Sequence, residues 1–236
     1  MERDRQSGQQ GSQSGQQDAG AVAEAGLEIE TGFQKWLAFA GDPGPNPESR
    51  AGQAESALRR AQDIEAEQEL LVRLAPQWDA GEFFRRRTEG APDFTRGSEH
   101  FVVRYRSESG ARVLKATIPG KFGRWEYTPT IYLNSLRLLQ GFAPGLDIRM
   151  HGIIVTEAKP TIVTSMQYIP GRHPHPRQVE NYLFGLGWER FDDTSETLDF
   201  RQPALRQIIR DAHPLNWVYR AASEALVPVD ISIEQY

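Results

Sequence analysis

Polar and apolar positions divide the chain into three textures. The first twenty residues, "MERDRQSGQQGSQSGQQDAG", hold Gln, Ser and Gly without an apolar core, which predicts a disordered tail over 1–20. A short apolar patch around Phe33, Trp36, Leu37 and Phe39 follows and ends in a Pro/Gly loop. From about Glu48 to Leu74 the chain is rich in Ala, Glu, Gln, Leu and Arg, which predicts a helix stopped by Pro76. Its apolar face is thin until Leu70, Leu71, Val72 and Leu74, so residues 21–88 read as a helical linker region. Near Phe94 the pattern changes to alternation. "SEHFVVRYRSESGARVLKATI" predicts a hairpin with strands at His100–Arg106 and Arg112–Ile118. "TPTIYLNSLRLLQGFAP" has helical spacing, with Pro129 in the first turn. "IRMHGIIVTEAKPTIVTSMQYI" predicts a second hairpin turning at "EAKP". A short helix in "PRQVENYLFGLGWERF", a short strand in "TLDFRQP" and a strand pair near Asn216–Tyr219 and Ala225–Ile231 complete the chain.

Hairpin, helix, hairpin, helix and a closing strand pair add up to an α+β fold in which the strands are joined antiparallel. Composition trims the functional possibilities. A formal net charge of -5 argues against a general nucleic-acid surface. The absence of cysteine excludes disulfides, thiol catalysis and thiolate zinc sites, and fits a reducing, cytoplasmic setting. No apolar run reaches the length of a membrane span, so no membrane partner is expected. Only four of the 27 basic residues are lysines, and one of them, Lys115, stands inside the apolar strand "RVLKATI".

The last segment concentrates the candidate chemistry. In "IIRDAHPLNWVYRAASEALVPVDIS", Arg210 and Asp211 form an R-D pair, Asn216 follows at D-x-x-x-x-N spacing, and Asp230 closes an apolar strand. A phosphoryl transferase of the kinase type needs a Lys on a central strand for the phosphates and an Asp for the attacking hydroxyl. It also needs an Asn and a later Asp for Mg²⁺. Hard cations prefer oxygen ligands, which is why amide and carboxylate side chains do this work. Lys115, Asp211, Asn216 and Asp230 occur in that order. Gln167, Tyr168 and Ile169, before the turn at Pro170 and Gly171, stand where an adenine-binding hinge belongs. The D-x-x-x-x-N spacing alone is a weak signal; the ordered set is stronger.

"GSEHFVVRY", "VLKATIPGKFG", "YLNSLRLLQGF", "DIRMHGI", "IVTSMQYIPG", "DAHPLNWV" and "PVDIS" together resemble the kinase-like domain of phage and plasmid polyvalent proteins, a compact relative of protein kinases in mobile elements. The resemblance covers about Gly97 to Ser232. It implies a domain over 89–236 with an antiparallel N-lobe sheet, one main helix, an adenine hinge and a minimal C-lobe. It implies ATP and Mg²⁺ as cofactors and an unidentified protein or small-molecule hydroxyl as acceptor. Asp211, Lys115 and Arg210 would be catalytic, and Asn216 and Asp230 would hold the metal. Gly97, Ser98 and Glu99 would stand in for the glycine-rich loop, beside the hinge residues Gln167, Tyr168 and Ile169.

The chain departs from that pattern in four places. Gly97 is the one glycine of the phosphate loop, and the helix at 130–142 has no Glu to pair with Lys115, which leaves Glu99 or Glu126 as partner. "DIS" stands in place of D-F-G, and six residues follow Asp230, so no activation segment and no large helical lobe are expected. The competing readings are a pseudokinase or interaction module, and a structural piece of a larger mobile-element protein. Among other polar residues, "FFRRRTEG" reads as a solvated face. His173 and His175 read as a Pro-rich turn rather than a metal site, and His213 as a loop-bonding side chain.

Overall fold

The computed structural model describes residues 50–91, 94–123, 127–191, 198–221 and 223–236, all in the compact unit Asn46–Tyr236. The expected tail and the patch around Trp36 lie outside the described residues. The expected alternation folds into strands. β1 (Thr95–Arg96), β2 (His100–Ser107) and β3 (Gly110–Thr117) precede the helix, and β4 (Arg149–Thr156) and β5 (Lys159–Gln167) follow it. They form one antiparallel sheet in the order β1-β2-β3-β5-β4. Strand period two sends Leu114 and Ala116 to one face, where they pack with Val103, Val163 and Ala80. Val113 and Lys115 face the other side.

Two helices precede the sheet, α1 (Arg50–Leu74) and α2 (Gly81–Thr88). The expected linker helix is docked at its C-terminal end. Leu71 is buried, Gln68 Nε2 donates to Gly120 O at 3.1 Å, and Glu67 Oε2 accepts from the Thr130 N–H at 2.8 Å. Between α1 and α2, Trp78–Ala80 runs beside β4: Ile153 N–H donates to Trp78 O at 2.7 Å and Ala80 N–H to Ile153 O at 3.2 Å. This approach needs Gly152, whose φ is +133° and where a Cβ would overlap Trp78 O.

α3 (Pro129–Phe142) begins with Pro129, and the Thr128 hydroxyl caps it by accepting from Ile131 N–H. The remaining elements are α4 (Pro176–Gly185), β6 (Glu189–Arg190), β7 (Phe200–Gln202), β8 (Gln207–Arg210), β9 (Trp217–Arg220), β10 (Ala225–Pro228) and β11 (Ser232–Gln235). They make a sheet of order β11-β8-β7-β6 and a β9–β10 hairpin. The run before Asp211 is strand β8, and neither it nor β11 is among the expected strands. Leu139, Trp188, Phe200, Ile209, Trp217, Ile231 and Ile233 form the core here, with Phe142 of α3 edge-on to Trp188 and Trp217. The fold is thus mixed α+β with antiparallel sheets and few helices. Among the described residues no helix is long and apolar enough to cross a membrane.

Candidate functional site

Lys115 lies on the middle strand of the five-stranded sheet, with Val102 of β2 on one side and Thr164 of β5 on the other. Its stem is buried. Its Nζ donates to Asp230 Oδ1 at 2.6 Å and to Val229 O at 3.0 Å. The partner of Lys115 is therefore Asp230, 115 residues further along the chain. Of the two partners expected, Glu99 instead gives its backbone oxygen to Ile118 N–H at 3.0 Å, and Glu126 lies outside the described residues.

The β9–β10 hairpin delivers Asp230 to the loop after β8. Asn216 O accepts from Val229 N–H at 2.7 Å and from Asp230 N–H at 3.3 Å. Asn216 Nδ2 in turn donates to Asp211 O and Asp211 Oδ2, each at 2.9 Å. Lys115, Asp230, Asn216 and Asp211 thus form one connected chain of contacts. The Asp230 carboxyl is walled by protein yet open at its mouth, its side chain 56% exposed against 9% for Lys115. Those walls push its pKa up, but the charge and hydrogen bond of Lys115 more than offset them and hold it below the ordinary carboxylate value.

Asp211 has φ +56°, a left-handed conformation that costs a non-glycine residue energy unless its surroundings enforce it. Asp199 supplies the enforcement. This buried carboxylate accepts from Asp211 N–H at 3.0 Å through Oδ1 and from Arg210 Nη1 at 2.8 Å through Oδ2. Arg210 Nε also lies 3.7 Å from Glu234 Oε1, the oxygen that accepts from the Tyr127 hydroxyl. Arg210, expected among the catalytic residues, is turned to Asp199 and Glu234 and braces the loop. His213 bonds within the loop as expected: its Nδ1 accepts from Leu215 N–H at 3.3 Å.

Gly97, Ser98 and Glu99 form the tight turn between β1 and β2, closed by Gly97 N–H donating to His100 O at 2.8 Å. At the hinge position, β5 ends at Gln167, and Tyr168 N–H donates to Ala111 O at 2.9 Å. Beyond Ile169 the chain meets β9. Arg172 and Tyr219 exchange backbone hydrogen bonds of 3.2 and 2.8 Å, and a Cβ on Gly171 would overlap Val218 and Tyr219 O.

Sequence reasoning missed three residues. Asp199 could have been noticed as an acid between Leu198 and Phe200, just before β7. His100 and Tyr132 meet at the inner edge of the site, with His100 Nε2 3.2 Å from the Tyr132 hydroxyl. Burial, and then the Lys115 charge, lower His100 to about 4. Burial raises Tyr132, with Asp230 and Glu99 adding to the rise against a lowering hydrogen bond from Thr164.

The remaining polar candidates are accounted for locally. Arg85 and Arg86 pair with Glu82, Arg85 also with Glu89, and Arg87 lies over Phe83 at 4.5 Å. His173 Nδ1 is 3.2 Å from Trp217 O, and His175 caps α4. Among the described residues no cluster of three or more His, Cys, Asp or Glu gathers that could hold a metal unaided. The oxygen donors are the Asp230 carboxylate beside Lys115 and, one step further along the chain of contacts, the Asn216 amide and the Asp211 carboxylate. They suit a hard cation that shares its ligands with a bound phosphate. Comparison of the chain with protein-family models, curated proteins and solved structures finds no match.

Proposed function

We propose that this protein is an ATP- and Mg²⁺-dependent phosphotransferase with a kinase-like arrangement, moving the γ-phosphoryl group to a hydroxyl acceptor. One observation carries the reading: Lys115 of β3 meets Asp230 at 2.6 Å, the Asp230 N–H reaches Asn216 O at 3.3 Å, and the Asn216 amide meets the Asp211 carboxylate at 2.9 Å, so the ammonium is joined to one short segment that carries an amide and two carboxylates. The order of the main sheet supports it as well, with Lys115 on the third strand and α3 following β3 and preceding β4.

Lys115 neutralises phosphate charge from a desolvated strand, where an ammonium interacts more strongly than in water. Asn216 and Asp230 would hold Mg²⁺, which would supply positive charge to the phosphates. Asp211 accepts the proton of the acceptor hydroxyl as its oxygen bonds to the γ-phosphorus. The bond from that phosphorus to the bridging oxygen breaks, and ADP leaves. Gln167, Tyr168 and Ile169 would line the adenine, and the Gly97–Glu99 turn would cover the phosphates. The acceptor is a protein or small-molecule hydroxyl. The cytoplasm and a mobile-element protein are the setting that fits the motifs.

A thermal shift with ATP and Mg²⁺, followed by transfer from γ-labelled ATP, tests this. MgATP at a hundred times its Kd stabilises the fold by about 2.7 kcal/mol. Asp211→Asn, which tolerates the left-handed backbone, keeps that shift and loses about a hundredfold or more of the transfer rate. No shift at millimolar MgATP would sink the proposal. A second reading, nucleotide binding without transfer, is favoured by the Gly97 turn, whose N–H is spent on His100 O instead of a phosphate. It gives equal, near-zero transfer in wild type and Asp211→Asn.

A further inference from the structure

The acidic residue that a helix beside such a lysine is expected to supply is absent from α3, "PTIYLNSLRLLQGF". What α3 sends into the site is Tyr132, 5% exposed. Its hydroxyl meets His100 Nε2 at 3.2 Å, and the two rings lie 5.7 Å apart between centroids. The register shows where this contact falls. Lys115 pairs with Val102 on β2 and with Thr164 on β5, and His100 is two residues before Val102, on the same face. The Tyr132 hydroxyl, beside His100 and Thr164, therefore bridges the two strands that flank the lysine.

We propose, resting on the phosphotransfer reading, that Tyr132 and His100 are the positioning pair of Lys115, an uncharged substitute for a helix carboxylate. A helix carboxylate would neutralise Lys115 permanently. The Tyr–His pair instead walls in the lysine stem and keeps water from its flank. The ammonium then has Asp230 as its carboxylate partner, and its charge passes to phosphate once Asp230 turns to the metal. Exclusion of water also strengthens the 2.6 Å ion pair. Neither residue touches the reacting atoms; both act through Lys115.

Lysine acylation by a small acetylating reagent, followed by peptide mass spectrometry, tests the pair without nucleotide. Tyr132→Phe and His100→Ala raise the labelling rate of Lys115 about three- to tenfold, the span of one lost hydrogen bond. Exposed Lys121 and Lys159 keep their rates, which with circular dichroism shows that the variants fold. His100→Gln, which can still reach the tyrosine hydroxyl, restores protection. With MgATP the same variants raise KM for ATP about three- to tenfold while kcat changes little, and the effect of Tyr132→Phe disappears in a Lys115→Met background. Unchanged Lys115 labelling in Tyr132→Phe overturns the proposal even if wild type binds MgATP. A wild type that ignores MgATP overturns the phosphotransfer reading, and the labelling still decides the pair.

Discussion

Asp199 holds two consecutive residues of the loop that carries Asp211, one through a backbone N–H and one through a guanidinium. Such a carboxylate is costly to bury unless both oxygens are used, and here both are. Removing its charge leaves Arg210 with the longer contact to Glu234 and leaves the left-handed Asp211 less supported. Breaking a fully buried pair costs about 3–5 kcal/mol; with Arg210 partly open to solvent, Asp199→Asn is expected to cost about 1–3 kcal/mol. A lowered urea midpoint at constant m-value checks this, and, on the proposed activity, transfer should fall further than stability alone explains. A midpoint equal to wild type would show that the loop is held by other contacts.

At the scale of elements, the segment after β5 is tied to the hairpin that delivers Asp230. Arg172 and Tyr219 exchange hydrogen bonds, and Gly171 lets the two backbones meet. Gly171→Ala forces them apart, at about 1–3 kcal/mol by the usual cost of overpacking. Urea unfolding measures that cost, and, on the proposed phosphotransfer, a raised KM for ATP would report displacement of residues 167–169. A neutral effect on both would mean that the contact is not needed. Most elements were legible before the structure was known, because period-two alternation and the "SESG" and "EAKP" turns are local signals. β8 and β11 were not. Four residues each, they are strands because they pair with each other, Ile209 with Ile233, and β8 with β7. No local pattern encodes that pairing.

Across the whole molecule, two histidines make stability depend on pH. His100 is lowered from 6.5 to about 4 by burial and then by the Lys115 charge. His151, stacked on Phe83 and 2.8 Å from Ser165 Oγ, is lowered to about 4 by burial and then by Arg112, Arg149 and Arg87. The unfolded chain binds protons near pH 6.5, where the folded chain does not. Their contribution is therefore complete above that pH and declines as pH falls toward about 4. The loss is on the order of 2–3 kcal/mol per histidine at the bottom of the window. Urea midpoints at about pH 7.5 and about pH 5 measure it, and His151→Gln should flatten the slope. Equal midpoints would contradict the burial of both rings. Strand period, turn chemistry and motif spacing are written over a few neighbouring positions, so most of the α+β element order and the residues Lys115, Asp211, Asn216 and Asp230 are readable from the chain. That Asp230 takes Lys115, that Arg210 braces the loop through Asp199 and that α3 presents a tyrosine to His100 follow from the three-dimensional packing. Those pairings depend on which charges and hydroxyls the fold brings into contact, over separations of 11 residues for Arg210 and Asp199, 32 for His100 and Tyr132 and 115 for Lys115 and Asp230.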